Sequence, residues 1–130
     1  MEHARSACTE PRTYQLVIEL SVPVGLQIGL LGRFAFPAGR YVYTGSARRN
    51  LAARVARHLT KRKRLRWHVD FLLASDATRV VAVRLSRCTE CALNRATPGS
   101  VLVQRFGASD CRSHCGSPLK YLGPVPGTLP

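Results

Sequence analysis

Within residues 41–59 the side-chain pattern changes from that of a strand to that of a helix. The stretch is YVYTGSARRNLAARVARHL, and it contains basic residues but no acidic ones. Its first residues are β-branched and aromatic, Gly45 and Ser46 predict a turn, and Asn50 is a credible helix N-cap. The sequence therefore predicts a fold in which a sheet and helices pack together, connected here by a strand, a turn and a cationic helix.

The helix predicted after Asn50 is amphipathic. At about 100° per residue, one arc of the helix is apolar. Its members are Leu51, Ala52, Val55, Ala56 and Leu59. The opposite arc is a polar stripe with i, i+3, i+4 and i+7 spacing, made of Arg54, Arg57, His58 and Lys61.

The chain of 130 residues is long enough for one domain and too short for two of ordinary size. We expect a flexible N-terminus over 1–12, a single domain over 13–123 and a loose tail over 124–130. Thr13 to Ser21 alternate as in a half-buried strand. Glycines and prolines then separate short apolar pieces, which predict an antiparallel meander with strands near 33–36 and ending at Tyr43. Further along, the sequence predicts a short helix within 65–78, a strand over 79–86, a helix over 89–96 and, after a structured loop, a final short strand.

The chain is strongly basic, with 20 Lys and Arg against seven Asp and Glu and a formal net charge of +13. Nine of the cations fall between Arg48 and Arg66, and no acid lies between Glu19 and Asp70. This clustering favours nucleic acid as the partner over a solvated basic face or a membrane surface. The sequence has no apolar run of the roughly 18 residues needed to span a bilayer and no secretory signal, so we expect a soluble, cytoplasmic protein without membrane association.

Five short motifs in order resemble the GIY-YIG endonuclease superfamily. They are GRYVYTGSA, RVARH, WHVDFLL, EC and FGASDC, which lie within residues 39–111. Together with the strand opening at Thr13 and Tyr14, the resemblance covers nearly the whole chain from 13 to 121. The similarity is to a divergent branch of small proteins, known as a domain of unknown function and sometimes fused to endonuclease III-type glycosylases. The match departs from the family at the first triplet, where Arg12 and Thr13 replace glycine and isoleucine. It also departs at Thr44, which replaces the middle isoleucine of the second triplet, and the connection between the triplets is longer than usual.

The resemblance implies an α/β sandwich of the α+β kind, with a small antiparallel three-stranded central sheet flanked by helices. It implies an endonuclease that hydrolyses nucleic acid phosphodiester bonds with one divalent metal, Mg²⁺ or Mn²⁺, on DNA more than RNA, with a role in DNA repair. The catalytic residues carried over by position are Tyr14, Tyr43, Arg54, His58 and Glu90, with Glu90 as the metal ligand.

Elementary chemistry is consistent with these roles. The guanidinium of Arg54 is always ionised and suits the charge that builds on a phosphate under attack. Acids are scarce after Glu19, so a hard cation would take its ligand from few candidates, among them Glu90. The phenols of Tyr14 and Tyr43 are poor bases unless cations lower their pKa, so they either position or deprotonate a water. His58 either relays a proton or lies on the helix surface.

Phosphate contacts are expected around the predicted turn and along the polar stripe, because backbone amides of a glycine turn and a helix start attract anions. The predicted nucleic-acid-binding residues are Gly45, Ser46, Arg48, Arg57 and Lys61. Trp67 and Phe71 are interpreted as core residues. The role of His68 and Asp70 remains open between support of a ligand and a bridge between helices.

Five cysteines without an export signal make a full disulfide framework improbable. Cys88, Cys91 and Cys111, with Cys115 or His114, have the count and pairing for a structural zinc site, and buried thiols are the alternative. The alternative to a nuclease is a non-catalytic basic module that binds nucleic acid, with or without a structural zinc.

Overall fold

The structure is a computed structural model that describes residues 11–61, 63–104, 106 and 117–125. In this part of the chain there are six strands and three helices. The strands are β1 (Thr13–Leu20), β2 (Val24–Ile28), β3 (Gly32–Phe36), β4 (Gly39–Ser46), β5 (Thr78–Ser86) and β6 (Leu119–Gly123). The helices are α1 (Leu51–Leu59), α2 (His68–Leu73) and α3 (Glu90–Ala96).

The main sheet has four strands in the order β5-β1-β4-β6, and all neighbours are antiparallel. A separate two-stranded ribbon pairs β2 with β3. The α+β class is confirmed, whereas the predicted three-stranded central sheet is wrong. The sheet is larger because β5 joins β1 and β6 joins β4, and these pairings connect residues far apart in sequence.

Strand β1 is buried on both faces, not on one as its alternation predicts. Tyr14, Leu16 and Ile18 lie on the first face, yet Gln15 and Val17 on the second face are only 6% and 4% exposed. The end of α3 covers the second face. Gln15 Nε2 donates there to Oγ1 of Thr97, the C-cap of this helix, at 2.7 Å. A polar side chain tolerates burial when its hydrogen bonds are made, which is why Gln15 looks like a surface residue in the sequence.

Helix α1 begins at the predicted N-cap, where Ala53 N donates to Asn50 Oδ1. Its buried face is rotated from the apolar arc toward the polar stripe. His58 is 2% exposed, whereas Leu59 is 51% exposed and Ala52 and Ala56 are also exposed. Of the two roles left open for His58, the position on the helix surface is wrong, because this side chain has a buried hydrogen-bond partner on β1.

The β2–β3 ribbon and α2 cover the first face of the sheet at the end away from Ser46. Ile28 and Phe36 of the ribbon are fully buried. Phe71 of α2 packs close to Gly29, where a Cβ would lie 3.5 Å from the Phe71 ring. Trp67 and Phe71 pack against the core, as predicted. Among the described residues no helix is long and apolar enough to cross a membrane. The flexible N-terminus and loose tail expected from the sequence fall almost entirely outside the described residues, as does most of the loop expected after Phe106.

Candidate active site

Tyr14 and His58 form a buried pair between β1 and α1. Tyr14 Oη and His58 Nε2 are hydrogen-bonded at 2.6 Å, and the two side chains are 1% and 2% exposed. The ring of Tyr43 completes the group, with its centroid 5.9 Å from that of His58 and 6.5 Å from that of Tyr14. Three of the residues predicted to be catalytic therefore come together, although Tyr14 and His58 are closed off from solvent.

Arg54 and Glu90 both contact Ser46, which ends β4. Arg54 Nη1 donates to the Ser46 carbonyl oxygen at 3.1 Å, and Ser46 Oγ donates to Glu90 Oε1 at 2.7 Å. The positive charge of Arg54 also acts on the Tyr14 hydroxyl, where it lowers the pKa against the effect of burial. The guanidinium and the carboxylate, 36 positions apart in the sequence, are thus placed at one end of the sheet beside both tyrosines.

Two hydrogen bonds from β1 hold the ends of α3, and with them Glu90, against the sheet, and an N-cap stabilises the start of this helix. Thr13 Oγ1 donates to the carbonyl oxygen of Cys88 at 2.6 Å, just before the helix. Thr89 is the N-cap of α3 and accepts from Ala92 N. Gln15 holds the other end of α3 through Thr97. Sequence reasoning missed these supporting residues, and only Thr89, a threonine directly before a helix, carried a recognisable signal.

Gly45 and Ser46 are the last residues of β4, so the predicted turn at this position is wrong. A Cβ on Gly45 would lie 2.5 Å from Tyr14 Oη and 2.6 Å from Tyr14 Cζ. The glycine is needed because the Tyr14 ring packs directly on the backbone of the neighbouring strand, not because the chain turns. The turn follows at residues 47–50, where Asn50 adopts a left-handed backbone conformation with φ of 53°.

The side chains of Arg54, Arg57 and His58 pack around the ring of Trp67. The guanidinium carbons of Arg54 and Arg57 lie 4.6 Å and 4.2 Å from the centroid of its ring, and the His58 ring is 5.6 Å away. Cation–π contacts of this kind are worth roughly 0.5–2 kcal/mol each. Trp67 thus gives Arg54 a second contact in addition to Ser46, a role beyond the core packing that its sequence position predicts.

The contacts of Asp70 show its role, which the sequence left open between support of a ligand and a bridge between helices. Its carboxylate is fully buried and accepts two hydrogen bonds from Arg57, at 3.1 Å and 3.0 Å, and two from the backbone amides of Arg66 and Trp67. Burial alone would raise the pKa of Asp70, but the Arg57 and amide hydrogen bonds outweigh it and the pKa is lowered. Asp70 is a bridge between α1 and α2.

The predicted phosphate-binding residues differ in the hydrogen bonds that their side chains make within the protein. Arg57 is engaged with Asp70, and Lys61 Nζ donates to the carbonyl oxygens of Leu73, Ser75 and Thr78. Arg48 lies exposed in the turn beside Ser46, next to the equally exposed Arg49. Phosphate binding by all three remains a prediction; Arg48 and Lys61 are exposed, whereas Arg57 is partly exposed.

Burial controls the acid–base properties of the site. It raises the pKa of Tyr14 to about 12, although the nearby Arg54 opposes this, and it raises the pKa of Tyr43 as well. It lowers the pKa of His58 to about 4, with Lys63 adding to the effect. At neutral pH both phenols are therefore protonated and His58 is neutral.

One carboxylate oxygen of Glu90 is oriented by Ser46, and the side chain is partly exposed. Mg²⁺ commonly binds through one or two carboxylates and fills its other positions with water and phosphate oxygens. Among the described residues no group of three His, Cys, Asp or Glu side chains is arranged to hold a metal. A single oriented and partly exposed carboxylate is the least that a hard cation such as Mg²⁺ requires from a protein.

The cysteines of the predicted zinc site fall partly outside the described residues. Cys88 is exposed and Cys91 is partly exposed, and neither forms a disulfide within the described chain. Cys111, Cys115 and His114 lie outside it, so zinc binding remains a prediction.

Comparison with known proteins gives one match. A family model described as "Domain of unknown function DUF123" matches residues 13–126. No curated protein and no solved structure matches the chain.

Proposed function

We propose that this chain, which belongs to the family described as Domain of unknown function DUF123, is a nuclease similar to the GIY-YIG endonucleases. The proposal rests on the geometry of the site. The protein would hydrolyse phosphodiester bonds of nucleic acid, DNA in preference to RNA, with one Mg²⁺ or Mn²⁺ ion. The observation that carries the proposal is the shared contact of Arg54 and Glu90 with Ser46.

Arg54 is the proposed electrostatic catalyst. Attack on a phosphodiester increases the negative charge on the non-bridging oxygens, and a fixed guanidinium stabilises this charge. The Ser46 carbonyl oxygen and the Trp67 ring hold Arg54 from two sides, so little reorganisation is needed when substrate binds. Lysine in its place would keep the charge but lose the planar fork of donors.

Glu90 is the proposed ligand for the divalent ion, which when bound would supply a Lewis acid for the phosphate. Ser46 occupies Oε1 as a donor and thereby fixes the orientation of the carboxylate. Thr13 and Thr89 fix the loop and helix start that bear it. The chain's own contribution is to hold one carboxylate beside Arg54.

Tyr14 and His58 are proposed to position the site and not to act as the base. A phenol with a pKa of about 12 does not ionise appreciably at neutral pH, and an imidazole with a pKa of about 4 is a weak proton acceptor. Their hydrogen bond instead sets the distance between β1 and α1, and hence the position of Arg54 one turn before His58.

The test is cleavage of labelled branched, nicked and single-stranded DNA and RNA in Mg²⁺ or Mn²⁺. We expect Arg54→Lys and Glu90→Gln each to lower the rate by about two orders of magnitude or more, the usual cost of removing an electrostatic catalytic group. Matched controls are Arg79→Lys and Asp76→Asn, which lie toward the other end of the sheet and should leave the rate unchanged. Unaltered cleavage by Glu90→Gln would remove the assignment of the metal ligand.

The closed position of Tyr14 and His58 favours a second candidate, a binding module without turnover. This module would use the exposed arginines of the turn before α1 for phosphates. Tight binding without cleavage of any substrate would support it over the nuclease. In either case Arg48→Ala should weaken binding and reduce the slope of log affinity against log salt by roughly one unit for each phosphate that the variant no longer binds.

A further inference from the structure

Strand β5 is an outer strand of the main sheet, and its second edge is open within the described part of the chain. It spans nine residues and pairs through one edge with β1, and no other described strand lies along its second edge. The opposite edge of the sheet differs, because Ser100 forms a bridge with Tyr121 of β6. A long open edge presents a row of unpaired amide and carbonyl groups, which is a template for another strand.

The side chains of β5 strengthen this template instead of blocking it. Val83 and Leu85 share one face by the two-residue period and are 37% and 58% exposed, and Val81, which has no partner on β1, is 39% exposed. Proteins commonly protect open edges with lysine, proline or very short strands, and β5 has none of these features. The strand carries a β-bulge at Val81, because Ile18 pairs with Val80 and Val17 with Ala82, and residues 82–86 continue beyond it in regular register with β1.

The charge of β5 indicates what kind of strand it would accept. Residues 77–89 contain no acid, and Arg84 lies exposed on the face opposite to Val83 and Leu85. A second copy of the chain would bring the same positive strand and another net charge of +13. A nucleic acid would match the charge, but it could use neither the row of backbone groups nor the apolar face.

We propose that β5 is a docking edge for an acidic, extended segment of another protein, which adds as a fifth strand to the main sheet. Its apolar residues would lie against Val83 and Leu85, and its carboxylates would alternate with them on the side of Arg84. Backbone hydrogen bonds would provide affinity, and the two faces would provide selectivity. This surface is separate from the proposed nuclease function and does not depend on it.

The probe is a nine-residue peptide of alternating glutamate and valine with blocked ends, added to the full chain. We expect amide hydrogen exchange to slow by about tenfold or more at alternate residues of Thr78–Ser86, and by less elsewhere. The same peptide with lysine in place of glutamate should bind at least about tenfold more weakly. Exchange that is unchanged in β5, or equal binding of the two peptides, would overturn the proposal.

Variants locate the interface. The double substitution Val81→Lys and Val83→Lys should weaken the glutamate peptide by about tenfold or more, because it adds like charge to the edge strand while removing the apolar face. Leu30→Lys is the matched control, since Leu30 is fully exposed at the tip of the β2–β3 ribbon, and should change affinity by less than about twofold. Circular dichroism of both variants checks the fold. A stable dimer of the free chain in light scattering, abolished by the double substitution, would assign the edge to a second copy instead.

Discussion

The buried imidazole of His58 makes the stability of the protein depend on pH. Its pKa is lowered from an ordinary value of 6.5 to about 4, chiefly by burial. Between these two values the unfolded chain binds a proton that the folded chain does not. The sign follows directly: stability falls as the pH is lowered through this window, because protons stabilise the unfolded state.

The magnitude can be worked from the two pKa values. The difference in proton binding changes the free energy of unfolding by little at pH 7 and by about 2 kcal/mol at pH 5. Asp70 contributes in a separate range, because its lowered pKa means that its stabilisation is present above an ordinary value of 3.8 and is lost only as the pH falls through the folded value. The interval between pH 7 and pH 5 therefore isolates His58.

The assay is urea denaturation at several pH values in this interval for three proteins. The unaltered chain should lose about 2 kcal/mol, and His58→Gln, which cannot be protonated there, should show a nearly flat profile. Tyr14→Phe is the control: it removes the hydrogen-bond partner and lowers stability by about 1 kcal/mol, but keeps the buried imidazole and hence the slope. An equal slope in the unaltered chain and His58→Gln, or an NMR titration of His58 near 6.5, would refute the reasoning.

Other substitutions test the interactions that hold the site in place. Asp70→Ala should lower the free energy of unfolding by about 3–5 kcal/mol in chemical denaturation, because it leaves the guanidinium of Arg57 without its buried partner; a decrease below about 1 kcal/mol would contradict this role. Gly45→Ala should cost about 1–3 kcal/mol in the same measurement by colliding with the Tyr14 ring, whereas Gly25→Ala meets only the flexible end of Arg33 and should be nearly neutral; equal effects would show that the ring can move. Lys61→Met should lower stability by about 1–3 kcal/mol in thermal unfolding, since three carbonyl oxygens lose their donor, and an unchanged midpoint would show that water replaces it.

The local elements of this protein could be predicted because their signals lie within a few residues. The alternation of β1, the N-cap at Asn50 and the β-branched run of β5 each appear in the structure close to where the sequence places them. Charge clustering and the spacing of Arg54 and His58 pointed to α1, the helix that bears two residues of the candidate site. In each case the physical cause is local backbone preference or helical geometry.

Pairings between distant residues could not be predicted in the same way. The sequence places His58 on the polar stripe of α1. Nothing near His58 in the sequence reveals that its hydrogen-bond partner is Tyr14 on β1. Gly45 predicts a turn, and only the packing of β1 beside β4 shows that the glycine makes room for a ring. The fourth strand of the main sheet likewise depends on contacts across the whole chain.

The sequence by itself determined the element types, the basic character and the short set of residues with suitable chemistry, because composition and periodicity are properties of neighbouring positions. Tertiary structure decided that Arg54 and Glu90 meet at Ser46, that Arg57 and Lys61 are engaged within the protein, and that Tyr14 and His58 are buried. The physical reason is that burial, desolvation and hydrogen-bond partners depend on which surfaces pack together, and packing is settled only when the whole chain folds.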